Sequence, residues 1–271
     1  MLWTERGLRL RLARRALASS LFFLLTADTL PGSQQPSVPA PPAPPSAAPP
    51  AAIRPSLPAL PPPPAMASVQ PSFVVAIDAA HGGSDDGARI ANGEIEKDIT
   101  LALSARLRSA LSARGITVLT IRESDIDVSS AQRAGIANHA LAAACLVLHA
   151  TSTGSGVHLF TSSLAPTTPT TGPVMLPWQS AQAAWITRSL RLSSEINSAL
   201  GQAAIPVTLG SASIQPLDNL TCPAIAIEIA PLAASPANKA LALSDPAYRQ
   251  RILDALSAAL LEWSTDWKQQ P

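Results

Sequence analysis

The sequence predicts an α/β protein with a three-layer, doubly wound fold, in which a mostly parallel, twisted sheet lies between helices. Short apolar runs rich in β-branched residues alternate with longer segments whose apolar residues recur at helical spacing. A strand, a helix and a second strand form a right-handed βαβ unit by default, and repetition of this unit indicates a layered α/β architecture. Two of the apolar runs end in His or Glu and a third is soon followed by His81, so ionisable side chains are expected at the strand ends.

The first unit of the fold begins after a proline-rich stretch. Phe73–Ile77 is a short apolar run and is predicted to be a buried strand. The segment from Glu96 to Arg114 has apolar residues at near-helical spacing, and Gly115 follows it as glycines commonly follow helices. Ile116–Ile121 is predicted to be the second strand.

The remaining elements follow from the same two patterns. Helices are predicted over Ser129–Ala144, Gln179–Gln202 and Asp245–Trp267, and strands over Cys145–His149, Val157–Thr161, near Val207, and over Ala224–Glu228. This alternation completes the doubly wound pattern.

The region before the fold has a different composition. Residues 1–27 combine five arginines with an apolar stretch too short for a comfortable membrane span, and they are predicted to be a signal peptide or an N-terminal anchor. Residues 28–70 are rich in Pro and Ala and are predicted to be a disordered linker. Residues 71–268 remain as one domain. We therefore expect an exported protein of the periplasm or cell envelope, either free or attached to the inner membrane through its N-terminal segment.

The charge distribution excludes one class of partner. The formal net charge is +1, but five of the 19 basic residues and one of the 18 acidic residues precede residue 28. The remainder therefore has 14 basic and 17 acidic residues, a formal charge of −3. The sequence has no basic patch of the kind that nucleic-acid binding requires, so nucleic acid is not expected as a partner.

Four ionisable residues are candidates for a metal site. His81, His149 and Glu228 follow or end predicted apolar strands, and Glu96 begins the helix after the first strand. In open α/β sheets, ligands bind at the carboxyl ends of the strands. Two His and one carboxylate with an open position are typical of catalytic zinc sites, and the fourth residue would then be free to act as a base.

The sequence resembles the zinc-dependent N-acetylmuramoyl-L-alanine amidases of the amidase 3 type, over roughly Phe73 to Trp263. The resemblance implies that His81, Glu96 and His149 bind Zn²⁺ and that Glu228 is the catalytic carboxylate. It also implies peptidoglycan as the substrate, cleaved between the lactyl group of muramic acid and L-alanine. The matching residues are Asp78–Gly83, Gly87-Ala88, Glu96–Ile99 with Leu101, Thr120–Arg122, Asp125, Arg133, Ala137-Asn138, Leu148–Ala150, Pro223-Ala224 and Glu228.

Two alternatives to this enzyme stay open in the sequence. Ala79-Ala80 and Thr151 stand where the family usually has Pro-Gly and Asn. These departures would suit a pseudoenzyme that binds zinc and peptidoglycan without cleaving it. A zinc peptidase that acts on stem peptides is the second alternative. The sequence does not indicate whether a protein activator is needed.

Other polar residues receive more ordinary interpretations. Asp78 is expected to orient a metal ligand or the turn at the strand end. His158 lies close enough to the crevice to be a substrate contact, whereas His139 is expected at the helix surface. Ion-pair roles within the fold are expected for Arg122, Asp125 and Arg133.

The two cysteines, Cys145 and Cys222, lie in apolar surroundings. Export would permit a disulfide, but free cysteines are commonly buried in such surroundings. We expect these two to be unpaired.

Overall fold

The computed structural model describes residues 72–167, 176–236 and 238–269. The predicted signal peptide or anchor and the predicted linker lie outside these residues. Within them the structure contains six strands and four α-helices, and short 3-10 helices lie at Ala91–Gly93, Trp178–Ala184 and Leu217–Asn219. The strands are β1 Val74–Ala79, β2 Thr117–Thr120, β3 Ala144–Ala150, β4 Val157–Ser162, β5 Val207–Ala212 and β6 Ala224–Ile229. The helices are α1 Glu96–Ser112, α2 Ser130–His139, α3 Ile186–Gln202 and α4 Pro246–Gln269.

The strands form one sheet in the order β2-β1-β3-β6-β4-β5. All neighbouring pairs are parallel except β4 and β6, which are antiparallel. The predicted mostly parallel α/β sheet is therefore confirmed. The order departs from the order of the chain at β6, which lies between β3 and β4.

One face of the sheet is covered by α1, α3 and α4, and these elements enclose the larger core. Ile77, Leu146 and Ile225 are neighbours across β1, β3 and β6 and are all buried. Tyr248 and Trp263 of α4 are buried in the same cluster. None of the helices in the described part of the chain is both long enough and apolar enough to span a membrane.

The opposite face has a smaller core. Ala76, Cys145 and Ala224 lie side by side there, and the buried Ala134 of α2 belongs to the same cluster. Because side chains alternate along a strand, His149 and Glu228 point to this second face, four residues after Cys145 and Ala224. The lighter covering of this face leaves room for a cleft at the strand ends.

The prediction of a helix over Gln179–Gln202 is wrong for the first part of this segment. A 3-10 helix occupies Trp178–Ala184, and α3 begins at Ile186. The buried Gln182 side chain donates to the carbonyls of Leu220 (2.8 Å) and Cys222 (3.0 Å), and it accepts from the Ser189 hydroxyl (2.6 Å). These tertiary contacts tie the segment to the chain before β6, which local helical spacing cannot reveal.

The helix predicted over Ser129–Ala144 ends earlier than expected. Ser129 is the N-cap and forms a capping box with Gln132, as the serines suggested. The helix ends at His139, and Leu141 has a positive φ of 49°. The amide of Ala143 then donates to the carbonyl of Val74 (2.7 Å). The alanines at the end of the predicted helix therefore turn away from it and lead into β3.

The expectation of unpaired cysteines is wrong, because Cys145 and Cys222 form a disulfide. Cys145 is in β3, and Ala224 of β6 is its neighbour in the sheet. The amide of Cys145 also donates to the carbonyl of Pro223 (2.8 Å). This pairing brings the Cα atoms of the two cysteines to 6.1 Å, a separation that a disulfide spans. The expectation failed because strand adjacency, which sequence does not supply, determines the pairing.

Candidate metal centre

The loop after β1 delivers His81 to the carboxyl edge of the sheet in an uncommon backbone conformation. The φ of His81 is +63°, in the left-handed region that residues with a Cβ rarely adopt. Such a conformation persists when surrounding contacts hold it in place. Arg133 of α2 supplies one of these contacts by donating to the His81 carbonyl at 2.7 Å.

Arg133 ties α2 to the end of β1 through three acceptors. It is buried, and besides the His81 carbonyl it donates to Asp78 Oδ1 (2.5 Å) and to the Ala79 carbonyl (2.8 Å). The expected ion pair of Arg133 is thus confirmed. Asp78 is its partner, and this contact helps to hold the turn at the end of β1. Burial raises the pKa of the Asp78 carboxyl, against the lowering effect of Arg133.

His81, Glu96 and His149 converge at this edge, as predicted. The Glu96 carboxylate lies between the two rings, with Oε2 3.1 Å from His81 Nε2 and Oε1 2.8 Å from His149 Nδ1. One ligand atom from each residue can be chosen so that all three lie within 4.8 Å of one another. Zinc is typically bound by this set of two imidazoles and a carboxylate.

The Glu96 carboxylate is held ionised. Burial alone would raise the pKa of this carboxyl, but contacts with His149 and His81 lower it far below its usual value. The amides of Ala88 (2.8 Å) and Ala150 (3.1 Å) add hydrogen bonds to the two oxygens. An ionised carboxylate with oriented neighbours is the form that a metal requires.

The donor set fits a zinc ion by its chemistry and its spacing. Two imidazoles and one carboxylate are common zinc ligands, and one ligand atom of each of His81, Glu96 and His149 lies within 4.8 Å of the other two. His149 Nε2, the ring nitrogen that does not face Glu96, is buried and has no hydrogen-bond partner within residues 72–167, 176–236 and 238–269.

Asp85 is a site residue that the sequence reasoning missed. Its Oδ2 lies 2.8 Å from His81 Nδ1, on the side of the ring away from Glu96. The hydrogen bond to Glu96 raises the pKa of His81, and the contact with Asp85 adds to this effect. Metal-binding histidines commonly donate their second N–H to a carboxylate in this way. A carboxylate four residues after a candidate His was the signal in the sequence.

The loop that carries His81 is fastened by charged contacts. Lys97 Nζ lies 2.9 Å from Asp86 Oδ1 and 3.1 Å from Asp125 Oδ2, and it donates to the Gly83 carbonyl at 2.7 Å. Asp125 also accepts from the amide of Gly83 at 2.7 Å. The expected ion-pair role of Asp125 is therefore confirmed, with the loop as the part of the molecule that it stabilises.

The expectation that Arg122 forms an ion pair is wrong. Its buried guanidinium donates to the backbone carbonyls of Ala79 (2.9 Å), Ala80 (3.1 Å) and Lys97 (2.7 Å). The Ala79 and Ala80 carbonyls lie at the end of β1, where the regular hydrogen bonding of the strand stops, and the Lys97 carbonyl lies in the first turn of α1. Buried carbonyls need donors, and Arg122 provides them.

Glu228 is not part of the cluster of His81, Glu96 and His149, but it lies next to it. In the sheet, Glu228 of β6 is the neighbour of His149 on one side and of His158 on the other. Neighbours in register point to the same face, so these three side chains form a row across β3, β6 and β4. The side chain of Glu228 is 33% exposed and can be reached from solvent.

A cleft of about 270 Å³ opens beside the cluster on the lightly covered face. His81, Asp85, Ser129, His149 and Pro216 are among the residues that line it. The exposed His139 of α2 lies outside the cluster, as predicted for a surface residue.

The fold is thus an α/β sheet that gathers two histidines and a glutamate at its carboxyl edge, in a group that could hold a metal ion. The family can be named more closely. A family model described as N-acetylmuramoyl-L-alanine amidase (Amidase_3) matches residues 75–262, and the chain belongs to this family.

Curated relatives match shorter parts of the chain. An endolysin of Bacillus phage SPP1 is 40% identical over 86 residues, which are 31% of this chain and 31% of that protein. The N-acetylmuramoyl-L-alanine amidase CwlM of Bacillus licheniformis is 39% identical over 99 residues, 35% of this chain and 39% of that protein. The matched region spans about a third of the length of these relatives.

Solved structures share the fold over most of their length. The catalytic domain of the amidase CwlV from Bacillus (Paenibacillus) polymyxa var. colistinus has a TM-score of 0.55 at 20% identity, covering 71% of this chain and 98% of that chain. The amidase Ami1 from Mycobacterium smegmatis has a TM-score of 0.56 at 18% identity, covering 73% and 98%. At these identities the likeness shows a common fold.

Proposed function

We propose that the protein is an exported, zinc-dependent N-acetylmuramoyl-L-alanine amidase. It hydrolyses the amide between the lactyl group of muramic acid and the L-alanine of the stem peptide in peptidoglycan. The observation that carries the proposal is the convergence of His81, Glu96 and His149 next to Glu228, within residues that match the family.

Each residue of the candidate site has its own role in the proposed reaction. His81, Glu96 and His149 would hold the zinc, which when bound lowers the pKa of a water in its open position and polarises a carbonyl. Glu228 accepts a proton from the attacking water and returns it to the departing alanine nitrogen. Asp85 keeps the His81 ring oriented, so that its Nε2 faces the cluster.

The departures from the family pattern at Ala79 and Ala80 are compatible with the contacts at the end of β1, which favours an enzyme over an inactive relative. Ala79 and Ala80 contribute through their backbone carbonyls, which accept hydrogen bonds from Arg133, Arg122 and Thr100. These contacts use only backbone carbonyls, which alanine provides as any other residue does.

Export is part of the proposal and has two supports. The N-terminal sequence has the composition of a targeting segment. The Cys145–Cys222 disulfide is the second support, because disulfides form and persist in oxidising compartments such as the bacterial periplasm.

The test separates metal binding from catalysis. His81→Ala and His149→Ala should lose zinc and activity together, because each removes one of three ligands. Glu228→Gln should keep its zinc while turnover falls by about 10² to 10⁴, the usual contribution of a general base. Zinc analysis and mass spectrometry of digested muropeptides are the measurements, and an amidase leaves muramic acid with a free lactyl carboxylate.

His139→Ala is the matched control, since His139 is an exposed histidine on α2. It should retain both zinc and activity. Full zinc occupancy in His81→Ala would refute the ligand assignment. Cleavage within the stem peptide would favour the peptidase alternative.

A further inference from the structure

His158 makes a direct hydrogen bond to the proposed catalytic base. Its Nδ1 lies 2.7 Å from Glu228 Oε2, although the two residues are 70 positions apart in the chain. They are neighbours in the antiparallel pairing of β4 with β6, so the backbone itself sets their side chains next to each other. An ionised carboxylate only accepts hydrogen bonds, so Nδ1 is the donor in this contact.

The His158 ring is confined by its surroundings. Gly154 has a φ of +84°, and a Cβ at this position would lie 2.4 Å from His158 Cε1 and 2.6 Å from Nε2. The backbone of Gly154 therefore passes directly against the ring. Phe160, two residues along β4, meets the ring edge to face with centroids 6.5 Å apart. The side chain of His158 is 15% exposed.

We propose that His158 is a positioning residue for Glu228, an inference that rests on the proposed amidase function. By donating Nδ1–H to Oε2, His158 fixes the carboxylate and leaves the other oxygen to take up a proton. The proton passes from water to Glu228 and then to the departing nitrogen, while the proton on His158 Nδ1 stays in place. Catalytic groups held in one geometry spend less free energy on orientation in the transition state.

This role differs from that of a substrate contact, which the sequence suggested for His158. A positioning residue acts through Glu228, so its removal should lower kcat and leave KM nearly unchanged. A substrate contact would act on KM. A residue that only supports the fold would lower the thermal midpoint and the zinc content without any dependence on Glu228.

The kinetic test uses the zinc-loaded full chain and a soluble muropeptide. His158→Ala should lower kcat by about 10- to 100-fold, as loss of such orienting contacts commonly does. KM should stay within about twofold of wild type by the same reasoning. His158→Asn places an amide donor near the position of Nδ1 and should recover most of the rate.

A double-mutant cycle shows whether His158 acts through Glu228. In the Glu228→Gln background, His158→Ala should cause no further loss, because residues that act as a unit are non-additive. A raised KM with unchanged kcat, or an equal loss in both backgrounds, would overturn the proposal. His139→Ala should leave all these values unchanged.

A measurement independent of activity tests the hydrogen bond itself. Nitrogen-15 NMR of the histidine side chains should show His158 protonated on Nδ1 in the wild type and should show this state altered in Glu228→Ala. An unaltered His158 spectrum in that variant would overturn the inference. Wild-type protein without amidase activity would instead refute the proposed function, and the NMR result would still decide the contact.

Discussion

At the scale of single residues, Gly87 shows how closely the backbone packs around the candidate metal centre. Its φ is +67°, and a Cβ at this position would lie 2.6 Å from His81 Cδ2 and 2.8 Å from Glu96 Oε2. Only a residue without a side chain lets the loop close over both proposed ligands. The glycine is therefore part of the site although it offers no ligand atom.

Gly87→Ala should weaken zinc binding. The added methyl group must displace the His81 ring or the Glu96 carboxylate, so we expect zinc affinity to fall by about 10- to 100-fold, the range for lost support of metal ligands. Zinc affinity is measured by competition with a chelator of known affinity.

Gly115→Ala is the control for this prediction. Gly115 also has a positive φ, +77°, but a Cβ there would meet nothing within 4 Å. Both variants should lose about 1–2 kcal/mol of stability from backbone strain. Equal zinc affinity in the two variants would contradict the role given to Gly87.

At the scale of elements, β3 and β6 form the centre of the sheet and carry part of the site. Cys145 is four residues before His149 on β3, and Cys222 is two residues before the start of β6 and six before Glu228. Both cysteines are buried. The disulfide thus joins β3 to the segment that leads into β6, at the opposite end of these strands from His149 and Glu228.

Replacing both cysteines by Ala should lower the free energy of unfolding by about 2–4 kcal/mol, the typical contribution of a disulfide. The bond closes a long loop, since its cysteines are 77 residues apart. Urea denaturation of the two proteins gives the difference.

Wild-type protein unfolded in the presence of a reductant should approach the stability of this variant, while the variant itself should not respond to the reductant. Identical unfolding midpoints for oxidised wild type and the variant would show that the disulfide contributes nothing to stability. Because the ordered strands place the ligands, zinc should still bind to the variant under native conditions.

At the scale of the whole molecule, the described residues contain every side chain to which the proposed reaction assigns a role. Both core clusters, the candidate metal centre and Glu228 lie within residues 72–269, and the family match covers 75–262.

A fragment of residues 66–271 should therefore fold and act by itself. Its thermal midpoint and its kcat/KM on soluble muropeptides should equal those of the full chain, because both core clusters and the candidate site of the described residues lie within it. Calorimetry and muropeptide digestion are the measurements. In cells, the fragment fused to a signal peptide should be less active on intact wall than the chain with its linker. Lower activity of the fragment on soluble muropeptides would show that the preceding residues take part in the reaction.

The α/β class and the residues of the candidate centre could be predicted from the sequence alone. Apolar runs and helical spacing are local patterns, and His81, His149 and Glu228 follow or end such runs directly. Since the carboxyl ends of parallel strands share one edge of a sheet, knowing the strands was enough to bring these residues together.

The contacts between distant side chains could be known only from the three-dimensional structure. The hydrogen bond between His158 and Glu228 and the disulfide between Cys145 and Cys222 join residues 70 and 77 positions apart in the chain. Both arise because β6 inserts between β3 and β4, out of chain order. Strand order and register are set by packing between segments distant in sequence, and a local pattern of apolar residues carries no record of that packing.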